Sequence, residues 1–80
     1  MKLGEAVTKR IDELMYEKGW SLYKLAKESC IPLSTLKNLY TKHTKCPTLV
    51  LIYKLSDAFG INPIEFLDCE LLDKNNVDYL

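Results

Sequence analysis

Three features of the eighty residues predict an all-α fold. Apolar side chains recur at steps of three and four, which traces one face of a helix. No segment alternates apolar and polar with the period of two that a half-buried strand requires. And "KESCIPLSTLKNLYTK", residues 27–42, ends one helical pattern near Ser29 and begins another by Leu33. A break this tight does not part the two helices in space. It sets them at a fixed angle, as in an αα-corner or a helix-turn-helix. The length suits one domain, and with 48% apolar residues one core needs no staples.

Five short helices are expected. Leu3, Val7, Ile11, Leu14 and Met15 carry the first, and Gly19 ends it. Ser21 is an N-cap for the second, and Trp20 before it is placed to pack on Leu25 as a hydrophobic staple. Leu22, Leu25 and Ala26 should face inward and Lys24, Lys27 and Glu28 outward. Pro32 pushes Ile31 into an extended conformation and suits the entrance of the third helix. There Leu36, Leu39 and Tyr40 take one side, and Ser34, Thr35, Lys37, Asn38 and Thr41 the other. That second side is polar and free of acids. Thr48 caps a fourth helix built on Leu49, Ile52, Leu55 and Phe59, with Gly60 as its C-cap. In "NPIEF", Asn62 caps the fifth helix, Pro63 takes its first position and Glu65 completes a capping box. The tail "CELLDKNNVDYL" is expected to extend this helix to about Lys74, where the asparagines end it. The domain proper is thus read as residues 1–68, with 69–80 as a C-terminal extension.

Net charge is zero, but the charges segregate along the chain. Residues 21–54 hold Lys24, Lys27, Lys37, Lys42, Lys45 and Lys54 against Glu28 alone, a balance of plus five. Residues 55–80 hold Lys74 against Asp57, Glu65, Asp68, Glu70, Asp73 and Asp78, a balance of minus five. The helix break lies inside the basic third. A solvated surface with segregated charges is the plainer reading of the same numbers.

No apolar run reaches the length of a membrane span, and the start shows no secretory signal core. A soluble, cytoplasmic protein is expected. Cys30, Cys46 and Cys69 are odd in number and widely spaced, which argues against a disulfide framework. His43 and Cys46 in "HTKC" could serve as metal ligands, but no C-x-x-C pair anchors such a site. The cysteines are read instead as small apolar residues. No metal, cofactor or small-molecule ligand is expected.

The stretch "WSLYKLAKESCIPLSTLKNLYTKHTKCPTLVLIYKLSDAFGINPIEFL" resembles the helix-turn-helix regulators of the phage repressor and Cro type, the XRE-like family. The resemblance spans about residues 5–68, and its most specific parts are "KLAKESCIPLSTL" and "TKCPTLVLIYKLSDAFGINPIEFL". It implies a lambda-repressor-like domain of five helices with the helix-turn-helix at helices two and three. The third helix would enter the DNA major groove while the second crosses the backbone. Carried over by position, Leu33, Ser34, Lys37 and Asn38 would read bases. Ser21, Tyr23, Lys24, Thr35, Thr41, Lys42 and Lys45 would contact phosphates. The residue chemistry agrees. Lysine donates to guanine O6 and N7, asparagine pairs bidentately with adenine, and leucine packs on a thymine methyl.

Five positions depart from the family pattern. Cys30 stands where a turn glycine is usual, and Lys42 where another glycine often ends the recognition helix. A left-handed conformation at such a residue costs about 1 kcal/mol. Leu22 replaces a glutamine that often binds phosphate, leaving Ser21, Tyr23 and Lys24 to supply that contact. Met15 and Tyr40 occupy the positions of a buried arginine–glutamate pair. Losing both charges together avoids stranding one of them, so Met15 and Tyr40 are expected to pack together and hold the third helix.

The leading expectation is a sequence-specific regulator of double-stranded DNA, a repressor acting by operator occupancy. Because one recognition helix reads only a few base pairs, a homodimer is expected. The resemblance places its interface at the fifth helix, where Ile64, Leu67 and Leu71 are candidates. The same residues could instead complete the core. The alternative is a protein-interaction module on the same fold, antitoxin-like or a phage accessory protein. An enzyme is not expected: Cys30 and His43 form a thiol pair only on paper, with no oxyanion site or third group.

Overall fold

The computed structural model describes residues 1–41 and 47–78. They form α1 (Leu3–Lys18), α2 (Leu22–Ser29), α3 (Leu33–Thr41), α4 (Leu49–Phe59) and α5 (Pro63–Leu67), followed by a 3₁₀ turn at Glu70–Leu72. Among the described residues there is no strand, only an isolated bridge between Lys2 and Asp78. The all-α fold read from the sequence is the fold observed.

The helix ends follow local chemistry. Gly19 is left-handed at φ 68°, so α1 closes with Trp20 N–H on the Met15 carbonyl at 2.9 Å and Gly19 N–H on Tyr16 at 3.2 Å. Gly60 repeats this arrangement at the end of α4, with Ile61 N–H on Ser56 and its own N–H on Asp57. These are Schellman closures, which satisfy carbonyls the helix leaves over. Ser21 Oγ accepts from Lys24 N–H at 3.2 Å, and Thr48 Oγ1 accepts from Leu51 N–H at 3.2 Å. Each hydroxyl satisfies one orphan donor of a first turn. Pro32 stands just before α3, and its carbonyl accepts from Leu36 N–H at 3.2 Å.

The core gathers one face of every helix. Val7, Ile11 and Leu14 come from α1, Leu25 from α2, Leu36 from α3, Ile52, Leu55 and Phe59 from α4, and Phe66 from α5. Ile31 joins them from the turn between α2 and α3. A fully buried side chain of this size stabilises by roughly 1.5–3 kcal/mol. Trp20 stacks on Phe59, with ring centroids 5.4 Å apart and planes at 20°. The indole expected to staple Leu25 therefore ties the start of α2 to the far end of α4.

Two expectations are corrected. Leu49 is 67% exposed rather than part of the core. The buried stripe of α4 runs through Ile52, Leu55, Ser56 and Phe59, and Leu49, in the first turn, lies at its edge. Nor does α5 reach Lys74: it stops at Leu67. Arg10 of α1 caps this end. Its Nε donates to the Phe66 carbonyl at 2.8 Å and its Nη2 to the Glu65 carbonyl at 2.9 Å. These carbonyls would otherwise feed a further turn of helix, and a charged fork now satisfies them. Beyond Asp68 the chain makes the 3₁₀ turn and folds back on the start of α1. Asp78 N–H reaches the Met1 carbonyl at 2.7 Å, and the N-terminal ammonium donates to the Asn76 carbonyl at 3.0 Å.

Candidate nucleic-acid interface

The unit formed by α2, the turn and α3 hangs on three buried residues, Leu25, Ile31 and Leu36. With these fixed, α2 rests on α4, and α3 rests on both α1 and α2. Within the turn Cys30 is left-handed at φ 58° and ψ 26°, the one positive φ at a non-glycine residue among those described. The glycine-like geometry is kept without the glycine. Ser29 helps to close the turn. Its buried Oγ donates to the Leu25 carbonyl at 2.6 Å and accepts from Ile31 N–H at 3.4 Å.

Because Leu36 points into the core, the residues at i−2, i+1, i+2 and i+5 from it must point out. These are Ser34, Lys37, Asn38 and Thr41, and all four are exposed. Their mutual spacing of three and four makes a continuous stripe along α3. Leu33 and Thr35 flank it and are half-buried. Thr41 Oγ1 donates to the Lys37 carbonyl at 3.2 Å, so its proton is already committed within the helix. Ser34, Lys37 and Asn38 have no such side-chain bond to the backbone among the described residues.

At the start of α2, Ser21 uses its oxygen as a cap acceptor, which leaves its O–H able to donate outward. Tyr23 is 69% exposed. Lys24 is paired with Glu28 at 3.0 Å, an i,i+4 contact on the outer face of α2. Leu22, which stands in place of the glutamine, packs half-buried against the core. Lys42, Lys45, His43 and Cys46 lie outside the described residues. Cys30 and Cys69 are free thiols, and among the described residues no three potential metal ligands cluster.

Tyr40 and Asp12 hold α3 from behind. The Tyr40 hydroxyl donates to Asp12 Oδ1 at 2.8 Å. Burial first, then the hydrogen bond and charge of Asp12, push the phenol pKa well above its ordinary value. Met15 packs half-buried against the core. The link expected to be wholly apolar therefore ends in a polar contact one turn earlier on α1. The hydroxyl of Tyr40 and the acid at i−3 from Met15 were its only signals in the sequence. A second contact was invisible there: Lys37 Nζ sits 5.9 Å from the centroid of the Tyr23 ring, joining α3 to α2.

Ile64 is 81% exposed and Leu67 42%, while Leu71, on the 3₁₀ turn rather than on α5, is half-buried. Leu49, Val50 and Tyr53 of α4 are exposed as well. No helix of the described residues is long and apolar enough to cross a membrane.

The model of the Cro/C1-type HTH DNA-binding domain matches residues 10–71, a span that holds α2, α3, α4 and α5 entire. No curated protein and no solved structure matches the chain.

Proposed function

The chain belongs to the Cro/C1-type helix-turn-helix DNA-binding domain family, and from that premise we propose that it is a sequence-specific transcriptional repressor acting by operator occupancy. The observation that carries this reading is the exposed, acid-free stripe Ser34, Lys37, Asn38 and Thr41, set on a helix anchored by Leu36. In this arrangement Lys37 and Asn38 meet base edges in the major groove, with Leu33 and Ser34 at its near end. Ser21, Tyr23, Lys24 and Thr35 face the phosphates, joined by Lys42 and Lys45 from the segment after α3 and by Thr41, whose hydroxyl donates outward only by releasing the Lys37 carbonyl. Lys24 must share its ammonium with Glu28, so it serves as a weaker phosphate ligand than its position suggests. Two copies would pair through Ile64, Leu67 and Leu71, since Ile64 and Leu67 spend apolar surface on solvent in the single chain.

Bound sequences selected from a random duplex pool supply the operator. A panel of single-base variants of that operator is then titrated with wild type and with Asn38→Ala at fixed salt. Asn38→Ala is expected to relax discrimination at one base pair by about 1–3 kcal/mol, mirrored in the second half-site, with the fold intact. An Asn38→Ala protein that ranks every variant as wild type does removes Asn38 from base reading. A wild type that ranks none of them overturns the regulator reading and leaves the protein-interaction module, with exposed Leu49, Val50 and Tyr53 as its first surface to probe.

A further inference from the structure

We infer that Tyr23 is the positioning residue for Lys37, an inference that rests on the base-reading function proposed for α3. Lys37 stands at the centre of the exposed stripe, on a flexible four-carbon stem that carries a compact point charge. Such a charge can reach a guanine edge or slip sideways to a phosphate, and only the first carries sequence information. The Tyr23 ring narrows that choice. Lys37 Nζ lies 5.9 Å from its centroid, within the distance at which an ammonium is drawn to an aromatic face.

The neighbourhood supports the pairing. The other lysine close to the ring in sequence, Lys24, is drawn away by Glu28 at 3.0 Å. Among the described residues no carboxylate forms an ion pair with Lys37. Tyr23 is itself fixed at its base, since its backbone lies in the first turn of α2, one residue after Leu22, which packs on the core. The ring thus projects from a rigid element and biases a mobile cation on the next one. Exclusion of water by DNA strengthens such a contact. Among the described residues the phenol hydroxyl makes no hydrogen bond, so ring and hydroxyl have separable roles.

Tyr23→Phe keeps the ring and removes the hydroxyl, while Tyr23→Leu removes both. Tyr23 is largely exposed, so both variants should melt close to wild type. In the free protein, the ε-methylene protons of Lys37 should be shifted upfield by the ring in wild type and Tyr23→Phe. In Tyr23→Leu they should return to the position of an unstructured lysine. On the operator panel, Lys37→Met identifies the base pair that depends on Lys37. At that base pair Tyr23→Leu should lower discrimination about threefold to fivefold, and Tyr23→Phe should retain it. In Lys37→Met the Tyr23→Leu change should have no further effect at that position. A wild type with no base ranking overturns the regulator reading and this inference together. A ranked wild type whose Lys37-dependent position ignores Tyr23→Leu overturns this inference alone. So does an ε-methylene shift that survives loss of the ring.

Discussion

Cys30 holds the turn between α2 and α3 at φ 58° with a Cβ that the left-handed region disfavours. The penalty for such a residue is about 1 kcal/mol, and glycine avoids it at the cost of more freedom in the unfolded chain. Cys30→Gly should therefore stabilise the domain by ~0.5 kcal/mol, raising Tm by about 2–4 °C. Cys30→Ala, which keeps the Cβ, should melt near wild type. A glycine variant that melts below the alanine variant would show that the turn carries no strain. Tyr40 poses the complementary case, a residue supplying a polar contact where its pairing with Met15 suggested only packing. Its phenol pKa is raised by burial and by Asp12, so the folded state holds the phenol proton more tightly than the unfolded chain does. Stability from this source is fully present below the ordinary tyrosine pKa of about 10 and declines as pH climbs above it. Tyr40→Phe should cost ~1 kcal/mol at neutral pH and flatten the alkaline decline in denaturant melts between pH 9 and about 11. An alkaline decline as steep in Tyr40→Phe as in wild type would put its origin elsewhere.

At the scale of the helix, local signals and distant ones part company. Gly19, Ser21, Pro32, Thr48 and Gly60 mark boundaries through their own backbone chemistry, so those boundaries were legible in the sequence. The stripe on α3 was legible too, because Leu36 fixes the phase of the helix and the rest follows by arithmetic. The end of α5 was not. The residue that caps it, Arg10, lies 56 positions from Phe66, and no spacing rule joins them. Leu49 misled for a related reason: its three-residue step to Ile52 fits the apolar pattern, but the core does not extend to the first turn of α4. The Arg10 fork gives the element-scale prediction. Arg10→Met keeps most of the stem and loses both bonds to α5. It should destabilise the domain by about 1–3 kcal/mol, since two charge-assisted bonds are lost, one of them part-buried. Arg10→Lys should recover only part, because an ammonium cannot reproduce the fork. Hydrogen exchange should localise the damage, with the amide of Phe66 losing protection before that of Leu25. Equal loss at both amides would make Arg10 a general core residue rather than a clamp on α5.

Over the whole molecule, a net charge of zero conceals a separation that bears on binding. The basic residues Lys24, Lys27 and Lys37 are exposed on α2 and α3, and Lys54 is exposed on α4. The acids of the tail sit elsewhere: Asp78 lies 3.9 Å from the N-terminal ammonium, and Asp73 Oδ1 accepts from Asn75 N–H at 2.8 Å. A neutral chain whose charges segregate in this way can still attract a polyanion to its basic segment. Phosphate neutralisation releases counterions, so affinity for duplex DNA should fall steeply and linearly in log–log form as salt rises. Each phosphate contact contributes about 0.9 to that slope. Lys45 carries its charge a few residues beyond the end of α3. If it meets a phosphate, Lys45→Ala should weaken binding about equally for every operator variant and reduce the slope by roughly one contact. Lys74→Ala removes the same charge from the acidic tail and should leave the slope as it was. Titrations of the three proteins at four salt concentrations separate the cases. Equal flattening by both variants would mean that total charge, not its placement, governs binding. An altered base preference in Lys45→Ala with an unchanged slope would move Lys45 from the phosphates to the bases.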